Sequence, residues 1–311
     1  MGKYLVKRVL LAIGVIFAIS AITFFVLNIV PGDPVRIMLG DMADEETVER
    51  VREQLGLNEP ILVQYFNWLF DMLQGDFGTS YTQNKEVIYL IGNALGVTVK
   101  LAGFAYLFAL VMGLTFGVVS AVFRGTWVDR LLMSISVFGI SAPVFWVAVI
   151  LQIVFALNLS WFPLSGIKTW QSYVLPVVTL GIRYAASIAR VTRTSMVEVM
   201  GQDFMRTAEA KGLSHWAVIL KHGLRNALIP IITIAGTQLG DIFTGSILIE
   251  SIFSMPGMGK LMLDAINARD LPLIEGCVMY IALVCVVVYL VVDILYAVVD
   301  PRIRLGGEAS E

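Results

Sequence analysis

Ionisable and amide side chains interrupt the apolar segments of this 311-residue chain at a few positions that could do chemistry. Thr237 and Gln238 precede Asp241 by four and three residues, so on a helix the three side chains share one face. Arg183 stands near the middle of another apolar segment. A charge at the centre of a bilayer costs about 2.5–3.5 kcal/mol, so Arg183 is expected to face other helices or water. The pattern favours a polar path through a helical bundle, and hydrogen bonding between helices is the structural alternative.

Catalytic constellations are not found beside these residues. His215 and His222 stand in a polar stretch, away from the intramembrane carboxylates, which speaks against a Ser/His or metal-dependent intramembrane protease. The segment 256–260 is similar to an ATP-binding loop, but Ser254 stands where the first Gly is required and Leu261 where Ser or Thr is required. We therefore expect the chain not to be catalytic and to hold no cofactor or metal of its own.

Composition is typical of a membrane protein. Hydrophobic residues make up 58% of the chain and charged residues 15%, against about 25% charged residues in a soluble domain. Long apolar runs must form helices in a bilayer, because every backbone N–H and C=O has to be satisfied within the element. The predicted spans are 9–30, 97–122, 131–157, 172–192, 227–249 and 276–299. The expected fold is therefore an all-α, polytopic membrane protein with about six transmembrane helices, and a net charge of −2 suggests no nucleic-acid partner.

Basic residues predict the orientation of these spans. Lys and Arg are concentrated in the first tail, the last tail and the 190–226 loop, whereas acidic residues dominate 31–96. Basic loops stay on the cytosolic side, so both termini and the 190–226 loop are predicted to be cytosolic. The predicted parts are a tail and first span at 1–30, an extracytoplasmic helical segment at 31–96, a five-helix core at 97–300 with a cytosolic loop at 193–226, and a cytosolic tail at 301–311.

The 31–96 segment carries helix signals of its own. Asp44 is a good N-cap, Gly56 is placed to end the same helix, and Pro60 suits the start of the next. Apolar residues then recur at helical spacing: Ile61, Leu62, Tyr65, Phe66, Leu69 and Leu73. Three interpretations remain open, namely a structural cap on the outer mouth of the bundle, a helix at the membrane surface, and a docking surface for a soluble partner.

Another patterned segment is Asp203–Pro230, which is polar and basic between two apolar spans. Asp203 predicts the N-cap of a short helix that runs through Lys211, and Gly212 has the place of the left-handed residue that ends a helix. Ser214 then predicts the N-cap of a second helix at 215–222. A membrane-surface helix with snorkelling basic side chains would show the same pattern. A DNA-reading helix-turn-helix is not expected, because both ends enter the bilayer.

This segment resembles the cytosolic "EAA" signature of ATP-binding-cassette importer permeases, in the variant of the oligopeptide/dipeptide/nickel family. DFMRTAEAKGLS from Asp203 and RNALIP from Arg225 follow that variant almost letter for letter. The general signature fits less well, since Arg206 stands in place of its Glu. Further matches cover nearly the whole chain and include 31–34, 75–78, 161–163, 256–259 and 292–303. Their order is similar to the first, B-type, of the two permease subunits.

The resemblance implies a machine of several chains in a bacterial or archaeal cytoplasmic membrane. The partners would be a homologous second permease subunit, two cytosolic ATP-binding subunits that hold ATP and Mg, an extracytoplasmic solute-binding protein and the lipid bilayer. The solute would be a di- or oligopeptide or a related small molecule. The residues that the resemblance implies for coupling to an ATPase are Asp203, Arg206, Ala208, Glu209, Lys211, Gly212, Leu224, Arg225 and Asn226.

Other functions remain as alternatives. An ion-coupled secondary transporter would use Asp241 and Arg183 chemically, but such a protein usually has more spans or a visible repeat. Glutathione and nickel-chelate importers share the same motifs. A channel would need a selectivity signature, and none is visible in the sequence.

Overall fold

The computed structural model describes residues 2–29, 33–40 and 42–299, with side chains for 6–29, 33–40 and 42–294. The predicted tail at 301–311 lies outside the described residues. Within them the chain is helical, apart from an isolated bridge between Thr79 and Glu86. The helices are α1 Gly2–Ile29, α2 Pro34–Leu39, α3 Glu45–Gln54, α4 Ile61–Leu73, α5 Val87–Val122, α6 Trp127–Ser141, α7 Val144–Leu151, α8 Val174–Met200, α9 Asp203–Ala210, α10 His215–Ala217, α11 Arg225–Ile252, α12 Met258–Ala268 and α13 Leu271–Val299.

Five described helical segments are long and apolar enough to cross a membrane, and a bent pair would make a sixth span. The five are Val6–Ile29, Val87–Val122, Trp170–Met200, His215–Ile252 and Leu271–Ile294. This confirms the prediction of an all-α fold with about six spans. The second span, α5, begins at Val87, ten residues before its predicted start at 97, because no proline interrupts 87–96.

The prediction of a single helix for the third span, 131–157, is wrong. The chain forms α6 and then a second helix, Val144–Asn158, whose last seven residues are π-helical, and the two helices are bent by 108°. Pro143 explains the break, since the residue before a proline is pushed out of the helical region. Ala142 is accordingly extended, with φ −70° and ψ 132°.

The described residues divide into two compact units, one within Met1–Thr98 and Pro256–Leu290 and the other within Val99–Met255 and Val291–Glu311. In the second unit α5 and α8 approach closely through small residues. A Cβ added to Gly117 would lie 2.4 Å from the Cβ of Thr192, and one added to Gly113 would lie 2.7 Å from the Cβ of Ile188. Small residues at such a crossing let two membrane helices pack backbone to backbone.

The first unit is held together by a buried carboxylate. Asp270, just before α13, accepts hydrogen bonds from the Ser80 hydroxyl at 2.6 Å and from the Thr82 hydroxyl at 2.7 Å. Burial, and then the charges of Glu275 and Asp270, raise the pKa of the neighbouring Tyr81 to about 12. Tyr81 therefore keeps its proton throughout the physiological pH range. The hydrogen bonds to Asp270 attach the 80–82 turn to the start of α13.

The helix signals predicted in 31–96 are largely present. Asp44 caps α3, accepting from the Thr47 amide at 3.2 Å and from the Thr47 hydroxyl at 2.8 Å. These two bonds lower the pKa of Asp44, because they favour its charged form. Gly56 follows α3 with φ +67°, as a helix-ending glycine does. Pro60 is the N-cap of α4, so this helix begins one residue after the predicted start.

Candidate functional site

The segment predicted to couple to an ATPase begins with the short helix α9. Its N-cap is Gln202, so the predicted cap at Asp203 is wrong by one position. Asp203 instead occupies the first turn, where its charge still favours the positive end of the helix. Gly212 follows with φ +77°, as predicted, and its amide donates to the Glu209 carbonyl at 2.9 Å.

The buried face of α9 holds it against the core of the second unit. Met205 and Ala208 form a buried cluster with Val218, which lies early in the next helix. Gly223 lies at the same place, and a Cβ there would lie 3.3 Å from the methyl carbons of Met196 and Met205. These contacts pack α9 against the following helical turns and the end of α8. The segment is therefore an ordered element and not a free linker.

The second predicted helix, 215–222, is not a separate element. Ser214 is the N-cap position of α10, but its side chain makes no capping hydrogen bond. The π-helical turns Val218–Leu224 then connect α10 to α11 without interruption, so His215–Ile252 is a single helical segment. The Asn226 amide donates to the His222 carbonyl at 2.7 Å and supports this junction. No residue between 222 and 227 breaks the helix strongly enough to end it, since one buried Gly costs only about 1 kcal/mol.

Most of the predicted coupling residues lie on the exposed side of this element. The exposed ones are Asp203, Arg206, Glu209, Lys211, Gly212, Arg225 and Asn226. Ala208 is buried and Leu224 is half-buried, so both support the element from inside. Glu209 lies 3.8 Å from the His215 ring, but both side chains are more than half exposed, so the pair contributes little.

Three apolar side chains on the same surface escaped the sequence analysis. Phe204, Leu213 and Trp216 are 42%, 43% and 54% exposed, among charged neighbours. Exposed apolar residues with a charged rim are typical of a docking surface. Helical periodicity could not have separated Phe204 from the buried Ala208, because residues four apart lie on the same side of a helix, so the exposure of Phe204 is decided by the tertiary structure.

An ion pair anchors the chain where it enters this segment. Arg193 on α8 donates from Nε and Nη2 to the two oxygens of Asp129, both at 2.7 Å. The Gly125 amide, at 2.9 Å, and the Ser120 hydroxyl also donate to Asp129, which is only 4% exposed. The pair thus joins the end of α5, the start of α6 and the end of α8. Asp129 was not recognised in the sequence, because its partner is 64 residues away.

The four residues predicted to line a polar path come together in the second unit. Arg183 of α8 and Thr237, Gln238 and Asp241 of α11 line one cleft of about 540 Å³. Tyr184, Ser187 and Thr244 add further polar groups to its wall. Arg183, Thr237 and Asp241 are exposed, which fits the expectation that a charge in this position faces water or a cavity.

Gln238 differs from its neighbours in the cleft. It is 6% exposed, and its carbonyl oxygen Oε1 has no hydrogen-bond partner among the described residues. A buried amide oxygen that stays unpaired costs about 1–3 kcal/mol. Gln238 Oε1 is therefore a buried acceptor without a partner in a residue that lines the cleft.

Comparisons of the sequence with protein families and with single proteins both find membrane components of transport systems. Residues 113–305 match the family "binding-protein-dependent transport system inner membrane component", and residues 1–102 match the N-terminal part of such membrane components. The glutathione transport system permease protein GsiC of Escherichia coli K12 is 42% identical over 304 residues, 98% of this chain and 99% of that protein. The GsiC protein of Salmonella typhimurium is 41% identical over the same length.

Two solved structures have a fold similar to that of this chain. Two crystal forms of the methionine transporter MetNI match 68% of this chain, with TM-scores of 0.53 and 0.56. They are 19% and 18% identical in sequence, and the matches cover 95% and 97% of those chains. At this level of identity the likeness concerns the fold alone.

Proposed function

The chain belongs to the family of binding-protein-dependent transport system inner membrane components, and from this premise we propose that the solutes it carries are small peptides, glutathione among them. It is a multi-pass permease subunit of an ATP-binding-cassette importer. The similarity to GsiC over 98% of the chain supports this class of solute most directly. Glutathione is a tripeptide with a γ-glutamyl linkage, and it shares with ordinary small peptides an ammonium group, amide N–H groups and a terminal carboxylate.

The exposed side of α9 and of the following residues, as far as Trp216, is the proposed contact with a cytosolic ATP-binding subunit. Phe204, Leu213 and Trp216 would fill an apolar socket, and the surrounding charges would set the register. ATP and Mg would be held by two such subunits, so this chain is not itself catalytic. Movement of the ATPase would pass from α9 through Met205 and Val218 into the continuous helix that begins at His215. A homologous permease subunit and a solute-binding protein complete the proposed assembly, with both termini cytosolic.

The cleft at Gln238 is the proposed contact with the solute. Arg183 carries the charge that attracts a terminal carboxylate, and Asp241 the charge that attracts a terminal ammonium group. Gln238 offers its unpaired Oε1 to a peptide N–H. The three groups thus match the three features that every small peptide carries.

Transport assays test the function. The chain is reconstituted in vesicles with its second permease subunit, its ATP-binding subunits and its solute-binding protein, and the uptake of labelled glutathione and dialanine is followed. We expect uptake only when ATP is supplied on the side of the membrane that carries the ATP-binding subunits. Uptake driven by an ion gradient without the ATP-binding subunits would overturn the importer mechanism. ATP-driven uptake of a nickel chelate alone would overturn the proposed solute.

Replacing Gln238 by Leu separates a role in solute binding from a structural role. The variant removes an oxygen that has no partner, so the thermal stability of the protein should be unchanged or higher. Transport should require about two to twelve times more solute for half-saturation, the equivalent of one lost hydrogen bond of about 0.5–1.5 kcal/mol. The readouts are the melting temperature and the KM for uptake.

Gln152→Leu is the matched control. The Gln152 amide donates to the carbonyls of Leu164 at 3.0 Å and Ile252 at 3.4 Å, so this variant should lose stability. If Gln238→Leu is also destabilised and its KM is normal, Gln238 has a structural role and the proposed path is wrong.

A further inference from the structure

Helix α4 has three distinct sides. Gln64, Asn67 and Asp71 follow one another at spacings of three and four residues and line a cleft of about 530 Å³ in the first unit. Tyr65 is buried against α1. The remaining side is apolar and open: Leu62 is 59% exposed, Phe66 59%, Phe70 64% and Leu73 78%. A helix in water would not leave this many large apolar side chains exposed along one stripe.

The contact with α1 places α4 well below the end of that span. The Tyr65 hydroxyl lies 2.9 Å from the Ser20 hydroxyl, and its ring lies 5.5 Å from the ring of Phe24. Ser20 precedes the end of α1 at Ile29 by nine residues, or about 14 Å along a helix. The same tyrosine ring lies 6.3 Å from the ring of Phe17, which is deeper still.

The basic residues of α1 fix where the bilayer begins. Lys7 and Arg8 belong at the membrane surface, so the hydrocarbon begins near residue 9. About 20 residues span its roughly 30 Å, so the midplane lies near residues 18–19. Ser20 is therefore close to the midplane, and a helix whose Tyr65 reaches Ser20 lies within the hydrocarbon layer.

We propose that α4 is immersed in the bilayer leaflet at the Ile29 end of α1, with Leu62, Phe66, Phe70 and Leu73 against the lipid acyl chains. Helix α1 also carries exposed apolar side chains on the side away from α4, where Ile22 is 63% exposed. The polar edge of α4 stays on the cleft side, away from lipid. A helix satisfies its own backbone hydrogen bonds, so the bilayer tolerates one that does not cross it. Of the interpretations left open by the sequence, this surface agrees with membrane contact and places it deeper than the surface.

Spin labels test the proposed depth. Cys277 and Cys285 are replaced by Ala, and single cysteines carrying a nitroxide are introduced at Phe66, Asn67, Ile22 and Glu46 in turn. The complete permease complex is reconstituted in vesicles of phosphatidylethanolamine and phosphatidylglycerol. Collisions of each label with oxygen, which is enriched in lipid, and with a water-soluble nickel chelate are measured by electron paramagnetic resonance. The label at Phe66 should match the lipid reference at Ile22, and the neighbouring label at Asn67 should shift towards the water reference at Glu46.

Two results would overturn the proposal. A label at Phe66 as accessible to the nickel chelate as the label at Glu46 would place α4 in water. A label at Phe66 shielded from both reagents would mean that another protein subunit covers this surface. Leu62→Cys examines the same apolar side, should the Phe66→Cys variant fail to assemble.

Discussion

Replacing Asp129 by Asn should lower the free energy of unfolding by about 3–5 kcal/mol, because it leaves the Arg193 guanidinium without its counter-charge. Asp129 accepts four hydrogen bonds, two of them from Arg193 at 2.7 Å, and is 4% exposed. The Arg193 side chain is 28% exposed, so water recovers part of the loss and the lower end of the range is expected. Thermal or denaturant unfolding of the purified protein in detergent measures the change.

Asp264→Asn makes the same chemical change at a surface pair. Asp264 lies 3.0 Å from the Lys260 ammonium, one helical turn away, and the two side chains are 55% and 38% exposed. Such pairs contribute at most about 1 kcal/mol. Equal losses in the two variants would show that the ion pair at Asp129 does not stabilise the junction of α5, α6 and α8.

Replacing Gly212 by Pro should abolish ATP-driven transport while the protein still inserts into the membrane. Gly212 has φ +77°, whereas a proline ring holds φ near −65°, so the turn after α9 cannot keep its shape. The variant also loses the amide that donates to the Glu209 carbonyl at 2.9 Å. The exposed surface of α9 would then lose its alignment with the ATPase. Solute uptake and ATP hydrolysis are measured together in the reconstituted complex, and hydrolysis is expected to become independent of solute.

Gly75→Pro provides a close match in the other unit. Gly75 ends α4 with φ +87° and donates to the Met72 carbonyl at 3.0 Å, and neither glycine has any atom within 4 Å of an added Cβ. The two variants thus impose the same strain at the end of a helix. Transport that survives Gly212→Pro, or fails equally in Gly75→Pro, would refute a specific role of the loop in coupling.

Local signals in the sequence were reliable where a short stretch of chain decides the structure. The cap at Asp44 and the left-handed turns at Gly56 and Gly212 are as predicted, because each depends on three or four neighbouring residues. The break at Pro143 was also a local signal, and it was overlooked because the apolar run around it is long enough for a single span. The predicted helix ends were less accurate than these turns. An apolar run ends where contact with lipid ends, whereas the helices α5 and α8 continue beyond their apolar runs.

The sequence by itself determined the membrane class, the helical fold and the family. Apolar runs of bilayer length can only be helices, and the motif around Gly212 is specific over many positions. Only the tertiary structure decided which distant residues meet: Asp129 with Arg193, Tyr65 with Ser20, and Arg183 with Gln238 in one cleft. The physical reason is that periodicity shows which side of a helix is apolar but not which other helix packs against it.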